Sequence, residues 1–387
     1  MHYRTQISKL SAIGQAAWDN LLAQQSDSTP FLSYAFLQAL HETGCATAET
    51  GWQEHYLSVW QDDLAGKSRL VAALPLYLKM HSYGEYVFDW AWAEAYQRHG
   101  LEYYPKLLSS IPFTPVAGNR LLAVDAAARA ALLQALAQLR QEPGISSTHV
   151  LFPTQVESEL LRESGMMIRQ AVQFHWQNRG FQDFAHFLAS LEQKKRKNIA
   201  AERRKVAQAG VTLERILGAQ VSLTQWRFFA ACYAHTYKAH FSTPYLNLDF
   251  FLQLAQTMPD NLLLIIASKE GKNIASALVV YDEQTLYGRY WGCLQDLPCL
   301  HFETAYYQPL EFCIERQLQS FEGGAQGEHK MARGFLPHTT YSAHHLQHPS
   351  FANAVEHFLA REQCNVSEYV QHLEGRNPFR VAAIATS

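Results

Sequence analysis

The sequence predicts an α+β chain made of two tandem copies of one unit, and three observations carry that reading. STPFL at residues 28–32 returns as STPYL at 242–246, each time ahead of an apolar helical run, AFLQAL and then DFFLQL. Trp18 in AAWDNLL is matched by Trp226 in TQWRFF, and Gly66–Lys67, a polar turn between two apolar strands, by Gly271–Lys272. Tyr103–Leu107 (YYPKL) aligns with Tyr306–Leu310 (YYQPL), and the strand-like 82–92 with 285–293. The matches keep their order at intervals of roughly 200 residues, the mark of an internal repeat. The expected domains are residues 1–170 and 171–387.

In the first copy, residues 11–25 and 34–43 read as helices and 56–60 and 69–79 as paired strands around the turn QDDLAGKS. AYQRHGLEYYPKLLSS (95–110) reads as a helix stopping near Pro112. VDAAARAALLQALAQLRQ is Ala-rich, with Leu132, Leu133, Leu136 and Leu139 on one side and Gly144 as its end signal. HVLFP is a strand, VESELLRESG a helix, and MIRQAVQFHWQN a strand leading into the second copy. There FQDFAHFLASL and QKKRKNIAAERRKVAQAG are helices, VTLERIL a strand, and 223–240 and 249–258 helices. NLLLIIAS, NIASALVVY and TLYGRYWG form a strand meander, ETAYYQPLEFCIERQLQS a long helix, and the tail from about 350 one more helix. Meanders flanked by helices, without strict strand–helix alternation, give a sheet covered by helices.

Hydrophobic residues make up 48% and charged residues 17% of the 387 residues, so a large core is expected. The net charge of −3 gives no global field that selects nucleic acid or membrane. No run reaches 18 apolar residues, and MHYRTQISKL carries no apolar leader, so no membrane span and a cytoplasmic protein are expected. The six scattered cysteines read as reduced thiols. There is no G-x-G-x-x-G, P-loop, G-x-S-x-G or H-E-x-x-H, and His338, His344, His345 and His348 lack a metal-ligand spacing, so no metal is expected.

Three segments carry candidate chemistry. Along the helix 193–210, Ile199 and Val206 share a stripe with Leu188, Lys194, Lys197, Arg204 and Lys205 cluster on another side, and Arg196 and Arg203 lie on a third. Such a face is either solvated or holds a polyanion: a phosphorylated cofactor tail, a tRNA or an acidic carrier. FEGGAQGEHKMARGF (321–335) gathers Gln326, Glu328, His329, Lys330 and Arg333 among glycines. Glu328 or His329 is the expected base, and Lys330 and Arg333 the expected anion holders. In TLYGRYWGC, Tyr287, Arg289 and Trp291 alternate onto one face, either a cleft wall with an anion clamp or an exposed strand with a snorkelling Arg, and His301 and Glu303 follow at a helix start. Asp89, between Phe88 and Trp90, is either a structural acceptor or a substrate contact.

The runs KKRKNIAAERRKVAQAGV, SALVVYDEQTLYGRYWG, HFETAYYQPLEFCIE and GAQGEHKMARGF, with PFLSYAFLQAL and LPLYLKMHSYGEYVFDWAWAEAYQRHG in the first half, resemble N-acyltransferases of the GNAT superfamily grouped as peptidoglycan biosynthesis or recognition proteins. The resemblance spans nearly the whole chain, and GEHK-x-x-RGF is its most specific block. More distantly, the chain is similar to the Fem-type aminoacyltransferases. The resemblance implies two GNAT-like domains and transfer of an acyl or aminoacyl group, from acyl-CoA or aminoacyl-tRNA, to an amine of a cell-wall precursor. It implies no permanently bound cofactor. The pyrophosphate loop Q/R-x-x-G-x-G/A of that superfamily has no recognisable counterpart before either long helix. A non-catalytic binding module for a cell-wall precursor or polyanion is the alternative.

Overall fold

In the computed structural model, which describes residues 3–63, 66–324 and 327–380, the first repeat opens with β1 (Tyr3–Ser8), α1 (Leu10–Ile13) and α2 (Gln15–Leu22). The single helix expected over 11–25 is broken at Gly14, whose φ of 83° no helical residue adopts. STPFL becomes a 3-10 turn, and Ser33 then caps α3 (Tyr34–Glu42) by accepting the N–H of Phe36. β2 (Trp52–Glu54), β3 (Tyr56–Asp62) and β4 (Ser68–Leu74) follow. After them come β5 (Tyr77–Lys79), α4 (Trp90–Arg98) and β6 (Lys106–Ser109). The helix expected over 95–110 is thus corrected: Gly100 at φ 69° ends it, and KLLS is a strand. The repeat closes with β7 (Leu122–Ala123), α5 (Ala126–Leu139), β8 (Ser147–Leu151), α6 (Gln155–Glu163) and β9 (Met167–Gln177).

The second repeat is preceded by α7 (Phe184–Ser190) and α8 (Gln193–Gln208), then runs β10 (Val211–Leu217), α9 (Leu223–Ala239), α10 (Leu248–Thr257). The meander is β11 (Leu262–Lys269), β12 (Lys272–Tyr281) and β13 (Thr285–Cys293). The long helix expected next starts earlier, as α11 (Leu300–Phe302), passes through a π-helical turn at Glu303–Tyr307 and ends as α12 (Gln308–Glu315). β14 (Ser320–Glu322), a 3-10 turn at Glu328–Arg333, β15 (Leu336–Leu346) and α13 (Pro349–Glu374) complete the described chain.

The repeat is visible in backbone detail. β1 pairs antiparallel with β3 as β10 does with β11, and each pair is followed by a hairpin turning at Gly66 (φ 77°) or Gly271 (φ 73°). Each hairpin carries one bulge on its second strand, near the turn: the register skips Val71 in β4 and Ile274 in β12. β7 pairs with β4 as β13 pairs with β12. Two of the sequence alignments are corrected. Residues 82–89 are a loop, 90–92 begin α4, and 103–107 enter β6, whereas 285–293 is a strand and 306–310 is helical. Both first-half segments lie in an insertion, residues 75–121, between β4 and β7, and share aromatic composition with the second half without sharing its backbone.

By packing, the chain forms two units: Met1–Ala171 with Thr339–Glu368, and Val172–His338 with the rest, Tyr369–Ser387. Segment 339–368 belongs to the first unit although it follows the second repeat. The reason is strand exchange. In the first unit β8 pairs antiparallel with β15, Leu151 opposite Ser342. In the second β14 pairs antiparallel with β9, Glu322 opposite His175. The first unit's core sets Leu132, Leu136 and Leu139 of α5 against Leu57, Val59 and Leu74. The second unit's core joins Trp176, Phe187, Ile199, Tyr307, Leu310 and Phe321.

Candidate active site

In the second unit β13 and β14 run parallel and are paired only over Thr285–Tyr287 and Ser320–Glu322. Gly288 allows this close approach, since a Cβ there would stand 2.9 Å from the Phe321 ring. The β12–β13 register then passes from Val279–Gly288 to Leu278–Tyr290, a bulge at Arg289. Bulges bend a strand and re-aim its side chains. Past this point β13 runs on to Cys293, and beside it lies a small pocket lined by Arg289, Trp291, His301, Ala305, Tyr306 and Gly323, among others. The π-helical turn supplies Ala305 and Tyr306; such turns are rare and occur frequently at functional sites. Of the residues expected from sequence, the fold therefore gathers Arg289, Trp291 and His301 at one opening.

Lys330 stands next to it, 2% exposed, its Nζ donating to the Gly324 carbonyl at 2.7 Å. Burial, and then the Arg289 charge, lower its ammonium to about 7. Burial and the neighbouring His329 hold His301 down to about 4, so it is neutral near pH 7. His329 reaches the site through Tyr306, Nε2 to hydroxyl 3.4 Å.

Other expected residues have other partners. Consecutive residues of a 3-10 turn point apart, so Glu328 leaves His329 and accepts from Tyr369 at 2.8 Å and from Arg376 at 2.7 Å; these bonds lower its carboxyl below the usual range. Arg333 donates from its Nη2 to both oxygens of Glu202, at 2.9 and 3.0 Å, and stacks 3.4 Å over the Phe302 ring. Glu303 accepts from Nε and Nη2 of Arg203, at 3.0 and 2.9 Å. These pairs fasten α8 to the 303–333 region. Lys194, Lys197 and Arg204, by contrast, are exposed on α8. Tyr287 is buried, its hydroxyl 3.3 Å from Asp282. Gln326 lies outside the described residues.

Asp89 belongs to a buried cluster in the first unit. Its Oδ2 accepts from Lys106 Nζ at 2.5 Å and from the Tyr103 hydroxyl at 2.7 Å. Burial would raise its carboxyl, but Lys106 and His149 hold it well below the usual range. Glu85 is the second carboxylate on Lys106, at 2.8 Å.

Sequence reasoning missed Tyr306, His175 and the role of Glu322. Phe321 turns its ring toward Phe335, on the side of Tyr306. Strand alternation sends Glu322 to the other face, where its register partners are Tyr287 and His175. Its Oε1 is 3.9 Å from His175 Nδ1, and Oε2, buried, has no hydrogen-bond partner among the described residues. Burial raises this carboxyl to about 8 against the pull of Arg289. An acidic residue flanked by FxGG and an imidazole inside an aromatic strand (FHW) were the available signals.

The FemAB-like family model, described as peptidoglycan biosynthesis/recognition, matches residues 9–381. The chain belongs to the FemAB-like family. No curated protein matches it significantly. Among solved structures, this FemAB-like chain is similar in fold to FemX, with 10% identity, TM-score 0.53, and 91% of this chain and 100% of that one covered. It is similar also to the C-terminal DUF2156 domain of a candidate lysylphosphatidylglycerol synthetase from Agrobacterium fabrum (11% identity, TM-score 0.53, 91% and 97% covered). A third is L-PGS from Bacillus licheniformis (11% identity, TM-score 0.50, 88% and 96% covered). At such identity these neighbours share the fold, an α+β architecture of sheets flanked by helices. Among the described residues no helix is long and apolar enough to cross a membrane.

Proposed function

We propose that this FemAB-like protein is a transferase that moves an acyl or aminoacyl group onto an amine of a peptidoglycan-related acceptor, with the reacting carbonyl held where β13 and β14 part. The observation that carries this reading is the bulge at Arg289 beside the pocket. A strand that leaves its neighbour exposes main-chain N–H groups toward the gap, and such donors stabilise the oxyanion formed as an amine attacks an ester or thioester carbonyl. Lys330 adds a buried ammonium that is only partly protonated near neutral pH, suited to donate to that oxyanion or to the leaving group. The family description supports the peptidoglycan-related acceptor. The donor is an acyl-CoA or an aminoacyl-tRNA, and the exposed cations of α8 suit the phosphates of either.

The test is product formation, by mass spectrometry, from acetyl-CoA and from alanyl-tRNA with lysine or a lysine-ended stem peptide as acceptor. Wild-type protein forms an amide from one donor, and Lys330→Met lowers the rate at least 100-fold. Donor binding without product from wild type would instead favour a binding module.

A further inference from the structure

We propose that the pocket beside β13 selects the donor by its acyl group, taking a short acyl group that ends in a second carboxylate, held by Arg289, and rejecting an aminoacyl group with its ammonium. This rests on the transfer reading above and names the donor class that reading leaves open.

The sign of the pocket comes first. None of the described residues that line it is acidic, and Arg289 is a guanidinium among them. Lys330 adds a second cation from the 3-10 turn. Its stem lies against Gly323 of the lining, where a Cβ would stand 3.2 Å from Cδ and 3.4 Å from Cε. Two groups respond to this field. After burial, the neighbours that hold the His301 imidazole down are His329, Arg333 and Lys330. After burial, the neighbour that holds the Lys330 ammonium down is Arg289.

The nearby acids do not reverse that sign. Glu202 is bonded to Arg333, Glu303 and Glu311 to Arg203, and Glu328 to Arg376. Glu322 keeps its proton near pH 7, since burial raises its carboxyl to about 8. An aminoacyl ester carries its ammonium on the carbon next to the reacting carbonyl. With that carbonyl seated where β13 and β14 part, the ammonium comes to lie beside Arg289 and Lys330, without a carboxylate in the lining to pair it. Burying a charge in that state is costly. A carboxylate in the same place gains charge-assisted hydrogen bonds from the guanidinium.

Shape then limits length. The Trp291 and His301 ring centroids are 5.1 Å apart, and those of His301 and Tyr306 5.4 Å, so three rings form one continuous wall. Methylene groups pack well on such a wall. In a malonyl or succinyl group the free carboxylate lies within a few bonds of the reacting carbonyl. Arg289 stands at the bulge where the strands part, so one short group reaches both. In the transfer the amine nitrogen bonds the carbonyl carbon and the carbon–sulfur bond breaks. The thiolate takes up the proton that the amine loses, and the free carboxylate passes unchanged into the amide.

Binding of succinyl-CoA and acetyl-CoA, measured by calorimetry without acceptor, tests this, with denaturant midpoints as the folding control for the variants. The two probes share the coenzyme and differ only in the acyl group. Wild type binds succinyl-CoA at least tenfold tighter than acetyl-CoA, Arg289→Gln brings the two affinities within twofold of each other, and Arg289→Lys keeps part of the preference. Equal binding by wild type, or binding of neither ester, overturns the proposal whatever the turnover shows, and this comparison decides even where a variant loses its fold. A preference that survives in folded Arg289→Gln overturns the assignment to Arg289. With lysine as acceptor, kcat/KM for succinyl-CoA exceeds that for alanyl-tRNA at least 100-fold. Alanyl-tRNA used as well or better overturns the proposal and leaves the transfer reading standing. Tighter binding of succinyl-CoA with no amide from any donor sinks the transfer reading and upholds the selectivity of the pocket.

Discussion

Lys79 and Lys106 stand directly opposite each other on β5 and β6, and neither is exposed to solvent. Like charges in register repel. The insertion that brings the two strands together also carries the remedy, Glu85 and Asp89, both on Lys106. Lys79 makes long contacts, 3.3 Å to the Tyr83 carbonyl, 3.4 Å to His81 and 4.0 Å to Glu85, and lies 3.6 Å over the Trp52 ring. Burial lowers it to about 7, half-neutral at physiological pH. Lys106→Met should therefore cost about 3–5 kcal/mol, because it takes the lysine from buried Asp89 and leaves buried Glu85 with only Lys79, 4.0 Å away. Lys79→Met, close in volume, should cost less than about 1.5 kcal/mol. Urea unfolding of both variants checks the asymmetry; equal losses would contradict it.

Gly292 on β13 gives a packing prediction. A Cβ there would lie 2.0 Å from the Cys232 carbonyl oxygen of α9, and a backbone atom cannot move aside as a side-chain tip can. Gly292→Ala should lower stability by about 1–3 kcal/mol or more. Gly180→Ala, where nothing lies within 4 Å but φ is +78°, separates backbone strain from overlap. Thermal unfolding reads both.

Much of this was legible in the sequence, and the failures are instructive. The two hairpins were readable because Gly66 and Gly271 mark turns that need positive φ, with apolar strands either side. Arg289, Trp291 and His301 were readable because a cation and aromatics inside a glycine-bearing strand are hard to place in a core. Strand exchange was not readable: β8 and β14 each need an apolar edge partner, and nothing local says which copy supplies it. The partners of Arg333 and Glu303 lie on α8, more than 90 residues away in sequence, so loop composition suggested ligand contacts where the fold makes ion pairs. The Lys79–Lys106 cluster was missed because a single lysine in LPLYLKM or YYPKLL reads as a strand end.

The pH dependence of stability should isolate Glu322. Its folded carboxyl is raised from 4.5 to about 8, so the folded protein binds the extra proton. That contribution is fully present below about pH 4.5 and is lost as pH rises through 8. Relative to Glu322→Gln, wild type should lose stability steadily across this window, by a few kcal/mol. Using the difference cancels Glu85, whose carboxyl burial raises to about 7. A constant difference from pH 4.5 to 8 would show that Glu322 titrates normally.

The cations of α8 should separate into two kinds. Arg203 bonds Glu303, which is 4% exposed, and Glu311 at 2.6 Å, so Arg203→Ala should cost more than about 2 kcal/mol. Lys197→Ala with Arg204→Ala, both exposed, should change stability by about 0.5 kcal/mol or less each and weaken donor binding instead. The salt slope of that binding then names the donor: each tRNA phosphate contacted steepens it by roughly 0.7, whereas coenzyme A offers few. Unchanged donor affinity at low salt would show a solvated face.

The most direct test of the central claim is amide formation by Ala305→Trp, in which the π-helical turn fills the pocket between β13 and β14 with an indole. Wild type should transfer from acetyl-CoA or alanyl-tRNA, and Ala305→Trp should lose at least 100-fold with an unchanged unfolding midpoint. Transfer at the wild-type rate by the filled variant would contradict the account.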